Sequence, residues 1–257
     1  MRVIFINAGD GDLCILNCPG GKNVMVDTGP FDSLMEFLPS LPEFVPGGKI
    51  EHLFLTHPHA DHIGNVREIL SLFDVKKVSV VRGPPFGSFY TRRMDSAFTA
   101  AGIIPDTIFM NDSLCCGETV FHMLWPPDSV YSGEGNNVNN NSLVLLSVYG
   151  KTELLLTGDL ENSALKDFTH KWDRQTVDLL KVPHHGASSS FCPQFIQVLS
   201  PEYALISCGK ENKYGHPDSL LTAFLKQGGS RVNITGRDGN VIYRSDGLFF
   251  DLVKPEE

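Results

Sequence analysis

Three histidines and one aspartate crowd into the segment Thr56-His57-Pro58-His59-Ala60-Asp61-His62. Imidazole and carboxylate are preferred ligands of zinc, manganese and iron, and packing alone does not explain four such groups so close together. The run follows the apolar stretch Leu53-Phe54-Leu55, so it lies where a buried strand gives way to a helix. A turn of that kind aims several donors at one point while its flanks hold them rigid. The chemistry implied is metal-assisted hydrolysis, in which bound cations make hydroxide available near neutral pH and polarise the bond under attack.

Other polar groups end apolar runs elsewhere. Asp27 stands in Val26-Asp27-Thr28-Gly29, Asp159 closes Leu154-Leu155-Leu156-Thr157-Gly158-Asp159, and His184 and His185 close Lys181-Val182-Pro183-His184-His185-Gly186. His216 lies in Tyr214-Gly215-His216-Pro217, a loop punctuated by glycine and proline. His122, in the middle of Val120-Phe121-His122-Met123-Leu124, reads instead as a structural histidine of a strand.

The elements that must position these groups follow from periodicity. Alternating or short apolar runs predict strands over 2–6, 13–17, 23–27 and 51–56. Ile63, Val66, Leu70 and Phe73 fall at helical spacing, which predicts one helix starting at Asp61. A strand over 76–82 follows, and the segments 83–95 and 126–141, rich in Gly, Pro and polar residues, read as long loops. A hairpin turning at Tyr149-Gly150-Lys151 opens a second series: a helix over 160–171, a strand over 178–183, a helix over 192–200, a strand over 203–208 and a helix over 218–227. Strands over 231–235, 240–244 and 247–253 end it. Strands in runs with interspersed helices in both halves predict two sheets packed face to face under helices. The fold class expected is α/β in the broad sense (α+β), a four-layer αββα sandwich, with residues 1–257 forming one domain.

Composition narrows the function. The chain has 257 residues, 42% of them hydrophobic and 20% charged, and its formal net charge of -9 argues against a surface that attracts long polyanions. Local exceptions are open around Arg82, Arg92 and Arg93. Six cysteines are spread too thinly for a disulfide scaffold, so buried thiols in a reducing, cytoplasmic setting are expected. No signal-peptide pattern or membrane-spanning run is seen, and no membrane partner is expected.

The pattern T-H-x-H-x-D-H resembles the signature of the metallo-β-lactamase superfamily. Several segments together, Asn7 to Asp12, Val26 to Gly29, Asn141 to Leu145, Thr157 to Asp159, Lys181 to Gly186 and Tyr214 to Pro217, resemble the soluble metallo-hydrolase domain of ComEC-type DNA-uptake proteins. The resemblance implies two divalent metal ions, zinc first and manganese second. His57 and His59 would hold one, Asp61 and His62 the other, Asp159 would bridge both, and Asp27 would orient the site from behind. One of the adjacent histidines would complete the second position. His184 is favoured as that ligand, leaving His185 and His216 to face the substrate, with Asp61 helping to orient the nucleophile. The chain departs from the superfamily pattern at Asn141, which stands where a third histidine usually serves the first metal, and an amide oxygen is a weaker ligand. It departs again at Asp10, in place of the usual glutamine, which leaves Asp10 and Asp12 without a role. The expected activity is hydrolysis of a phosphodiester in a small molecule, a nucleotide or a short nucleic acid. A carboxylic ester, thioester or lactone is the alternative, and a non-catalytic metal sensor a third reading.

Overall fold

A computed structural model describes residues 1–82, 87–174 and 176–253. Its first large sheet runs in the order Phe250–Val253, Val241–Ser245, Arg2–Phe5, Cys14–Cys18, Lys22–Val26, His52–Leu55, Val78–Val81, Asp106–Ile108. The second runs Arg231–Ile234, Tyr203–Ile206, Leu179–Lys181, Thr152–Leu156, Val144–Tyr149, Thr119–Trp125, Ser113–Cys116. Each sheet is part antiparallel and part parallel.

The layering follows from strands that bury both faces. In Arg2–Phe5, Val3 and Phe5 join a core containing Phe54, Phe121, Leu145, Leu154 and Leu205 from both sheets. The alternate residue Ile4 faces the opposite way, into a core with Leu41, Ile69 and Phe98 from the helical side. The second sheet repeats this, placing Leu155, Leu180 and Ala204 against Leu165, Phe195 and Leu225. Three apolar layers between four layers of structure make the αββα sandwich.

Differences from expectation cluster near the histidine run. The single helix expected from Asp61 is two, Ala60–Ile63 and Val66–Leu72. At Gly64 a Cβ would meet the Phe31 nitrogen at 2.5 Å, so only glycine permits the close approach. Asn65 then donates its side-chain amide to the carbonyls of Thr28, Gly29 and Pro30, tying the break to the loop that carries Asp27. The loop expected over 83–95 is a helix from Phe89 to Ala101, capped reciprocally by Ser88 and Thr91 and stopped by left-handed Gly102. Residues 83–86 of that expectation lie outside the described residues. Asp106–Ile108 and Ser113–Cys116 are strands that the periodicity did not predict.

Candidate metal centre

The centre forms where strands of both sheets end side by side. Strand His52–Leu55 delivers Thr56 and His57, and His59 caps the helix Ala60–Ile63 that carries Asp61 and His62. Asp27 follows strand Lys22–Val26 in a left-handed conformation (φ 60°). Its carboxylate accepts from Thr56 N at 2.8 Å and Thr56 Oγ1 at 2.7 Å, and lies 2.7 Å from His62 Nδ1. The Asp27 carboxylate stands behind the His62 ring, whose Nε2 faces Asp159 Oδ1 at 3.3 Å.

From the other sheet, Asp159 lies beyond strand Thr152–Leu156, its N–H donated to Ser142 Oγ at 3.1 Å. His185 Nδ1 is 2.8 Å from the Ser207 carbonyl, so that nitrogen carries a hydrogen and Nε2 is the ring atom turned toward the carboxylates. This Nε2 lies 3.3 Å from Asp61 Oδ2 and 3.5 Å from Asp159 Oδ2. Asp61, His62, Asp159 and His185 offer ligand atoms all within 4.8 Å of one another. His62 Nε2, Asp159 Oδ1 and His185 Nε2 are buried with no hydrogen-bond partner among the described residues. Orphaned polar atoms that converge this way cost free energy unless something binds them, and the donor set of imidazole and carboxylate fits a divalent cation.

Electrostatics point the same way. Burial disfavours charge on His62 and His185, but Asp159, with Asp27 behind one ring and Asp12 behind the other, outweighs it and raises both well above the usual histidine range. A field that holds a proton so firmly also attracts a metal ion. His57 goes the other way: burial, reinforced by neighbouring His62, pushes it well down. Its Nε2 is 3.0 Å from His59 Nδ1 and 3.7 Å from Asp159 Oδ2.

The histidine pair is where expectation and structure part. The structure sets His185, not His184, in the four-residue cluster. Both residues have positive φ, 49° and 54°, and this double left-handed turn rolls His185 inward while His184 stays at the rim. Asn141 differs too. Its amide nitrogen donates to the carbonyls of Tyr131 and Asn137, and its oxygen accepts from Tyr131 N, so it braces the loop. His216 lines a cleft of about 350 Å³ with His59, Asp61, His184, His185 and Tyr214, its ring stacked on Tyr214 at 5.6 Å. His122 is paired in register with Ser113 and Leu146, within the second sheet.

Three residues, Lys181, Asp12 and Asp10, received no role from the sequence. Lys181 is buried and ion-paired with Asp12, and it donates to the Gly158 carbonyl at 3.2 Å, 3.8 Å from Asp159 Oδ1. Burial would raise Asp12, but Lys181 and then His185 hold its carboxyl below the usual range. Asp10 accepts from Gly209 N at 3.0 Å and Ser207 Oγ donates to Gly11 O at 3.1 Å, so this loop joins the two sheets behind the centre. A lysine inside the apolar run Leu179-Leu180-Lys181-Val182 is the signal that was available in the sequence.

The architecture and this cluster define a metallo-β-lactamase-fold protein. Residues 10–127 match the family model described as the metallo-beta-lactamase superfamily. ComE operon protein 3 of Bacillus subtilis is 30% identical over 95% of this chain, and Recombination protein 2 of Haemophilus influenzae 28% over 93%. The chain spans 33% and 28% of those two proteins, about a third of their length. Among solved structures, Zn²⁺-bound PqqB from Methylobacterium extorquens superposes with a TM-score of 0.60, covering 91% of this chain and 98% of that one at 10% identity. Among the described residues no helix is long and apolar enough to cross a membrane.

Proposed function

We propose that the chain is a metal-dependent hydrolase acting on phosphodiesters of nucleotides or short nucleic acids. The observation that carries this is the convergence of orphaned His62, Asp159 and His185 atoms beside a cleft rimmed by His59, His184 and His216. Asp61, His62 and His185 would hold the second of two cations, His57 and His59 the first, with Asp159 between them. Two divalent ions, zinc or manganese, would supply Lewis acidity toward a phosphoryl oxygen and lower the pKa of a water. Asp61 and Asp159 orient the attacking group. His216 gives its proton to the departing oxygen, and burial, together with the neighbouring His185 and His184, lowers its affinity for that proton. A relative named for recombination favours a nucleic-acid substrate, and the charge of -9 favours a short one.

Esters are the natural control, because an apolar cavity of about 220 Å³ lined by Leu55, Ile63, Met94 and Phe98 adjoins His57. With zinc or manganese restored, kcat/KM for bis(4-nitrophenyl) phosphate should exceed that for 4-nitrophenyl acyl esters by roughly 100-fold, a gap of about 2.7 kcal/mol. A preference for esters that grows with acyl length would reverse the assignment.

A further inference from the structure

The first metal position, as built from His57 and His59, lacks the third protein ligand that zinc sites of this kind ordinarily possess. Asn141 does not supply it, since both ends of its amide are bound to loop backbone. The structure offers another donor. His184 turns Nδ1 toward Ser189 Oγ at 3.3 Å and Glu161 Oε1 at 3.5 Å, and presents Nε2 to Asp159 Oδ2 at 3.8 Å. His57 approaches the same Asp159 oxygen at 3.7 Å, with its own Nδ1 3.2 Å from Thr56 Oγ1. His62 and His185 follow the same plan: Nδ1 anchored on an oxygen, Nε2 aimed at Asp159. An imidazole fixed by a carboxylate behind it is the usual form of a metal-bound histidine.

We infer that His184 completes the first metal position in place of the mid-chain residue, so that the adjacent histidines serve one position each, with Glu161 orienting His184. The backbone supports this. Two successive non-glycine residues at positive φ are costly, and such strain persists where it places side chains for function. In an extended strand, neighbours point to opposite faces. The left-handed turn instead brings two consecutive rings, 6.0 Å apart, to one carboxylate, with His184 Nε2 at 3.8 Å and His185 Nε2 at 3.5 Å from Asp159 Oδ2. Glu161 also accepts from Asn136 N and Asn139 Nδ2, so the loop that Asn141 braces is tied to the carboxylate behind His184.

This inference rests on the two-position reading of the centre, and cobalt titration separates the two. The metal-stripped chain is titrated with Co²⁺ alone, following visible absorption and bound equivalents. Wild type should take two equivalents. His184→Ala should keep one at wild-type affinity and weaken the other by about 100-fold or more, and Glu161→Gln should weaken that same equivalent by about 10-fold to 100-fold. His57→Ala combined with His184→Ala should bind no worse than His57→Ala alone, because both act on one position. His57→Ala with His185→Ala should lose both. Two unchanged equivalents in folded His184→Ala and His184→Gln would overturn the assignment of His184 and leave the two-position reading intact. Fewer than two equivalents in wild type would overturn both.

Discussion

Asp61, His62, Asp159 and His185 bring one donor each within 4.8 Å of one another, whereas His57 and His59 lean on each other across 3.0 Å at the cleft side of the same aspartate. The difference lies in what stands behind each set. His62 is held by Asp27 and His185 by the Ser207 carbonyl, groups fixed at strand ends of the two sheets. On the other side, His184 is 23% exposed and is reached through Glu161 and the 131–141 loop. Donors anchored in the sandwich are assembled before a cation arrives, and those anchored through a loop must be ordered by it. Preassembly raises affinity because the ordering cost is already met by folding. His57 is held by Thr56 at a strand end, so the first position waits only on His184, and the second should fill first.

The largest effect should come from removing what the two positions share. Asp159→Ala should lower the content of both metals and reduce turnover by roughly 10³-fold or more, beyond the range of changes to outer partners. Its urea unfolding should stay cooperative, since the core is apolar burial elsewhere. Full activity in this variant would remove the common carboxylate from the account.

The frame behind the second position comes next. Lys181→Met leaves Asp12 buried without its cation and should cost about 3–5 kcal/mol in urea unfolding. Adding Asp12→Leu should recover most of that. A neutral single variant would show that this ion pair does not brace the centre.

How much of this was legible in the sequence differs between the two positions. His57, His59, Asp61 and His62 stood out by adjacency alone, and the sandwich was expected from strands in runs with interspersed helices in both halves. The choice between His184 and His185 was not, because it depends on positive φ at both residues, and neither is a glycine that would announce it. Lys181 and Asp12 meet only after the two sheets stack, so no local pattern pairs them. The helix Phe89–Ala101 was hidden by its aromatic and arginine content, although Ser88 and Thr91 form a legible cap.

Asn141→His sharpens the comparison at the first position. A histidine would suit zinc better, but here it would forfeit three loop hydrogen bonds of 2.7–2.9 Å at a buried site. The expected result is a loss of about 2–3 kcal/mol in stability with no gain in zinc affinity. Tighter zinc binding would return Asn141 to the ligand shell.

The smallest effect concerns a histidine on the strand that leads into the centre. His52 hydrogen-bonds Ser79 at 2.7 Å, and burial, with Lys77 adding to it and Asp106 only partly opposing, pushes it down to about 4. The unfolded chain binds a proton near pH 6.5, so between about 4 and 6.5 the unfolded state holds more protons and stability falls as pH falls. His52→Gln should flatten the loss between about pH 7 and pH 5 by about 2 kcal/mol relative to wild type. An unchanged slope would place that titration elsewhere.

Anomalous diffraction from crystals soaked at low and then high zinc tests the difference between the two positions most directly. At low zinc one peak is expected, bounded by Asp61, His62, Asp159 and His185. At high zinc a second should appear on the His57 and His59 side, roughly 3.5–4 Å away across Asp159. A first peak at His57 and His59, or a single peak at every concentration, would contradict it.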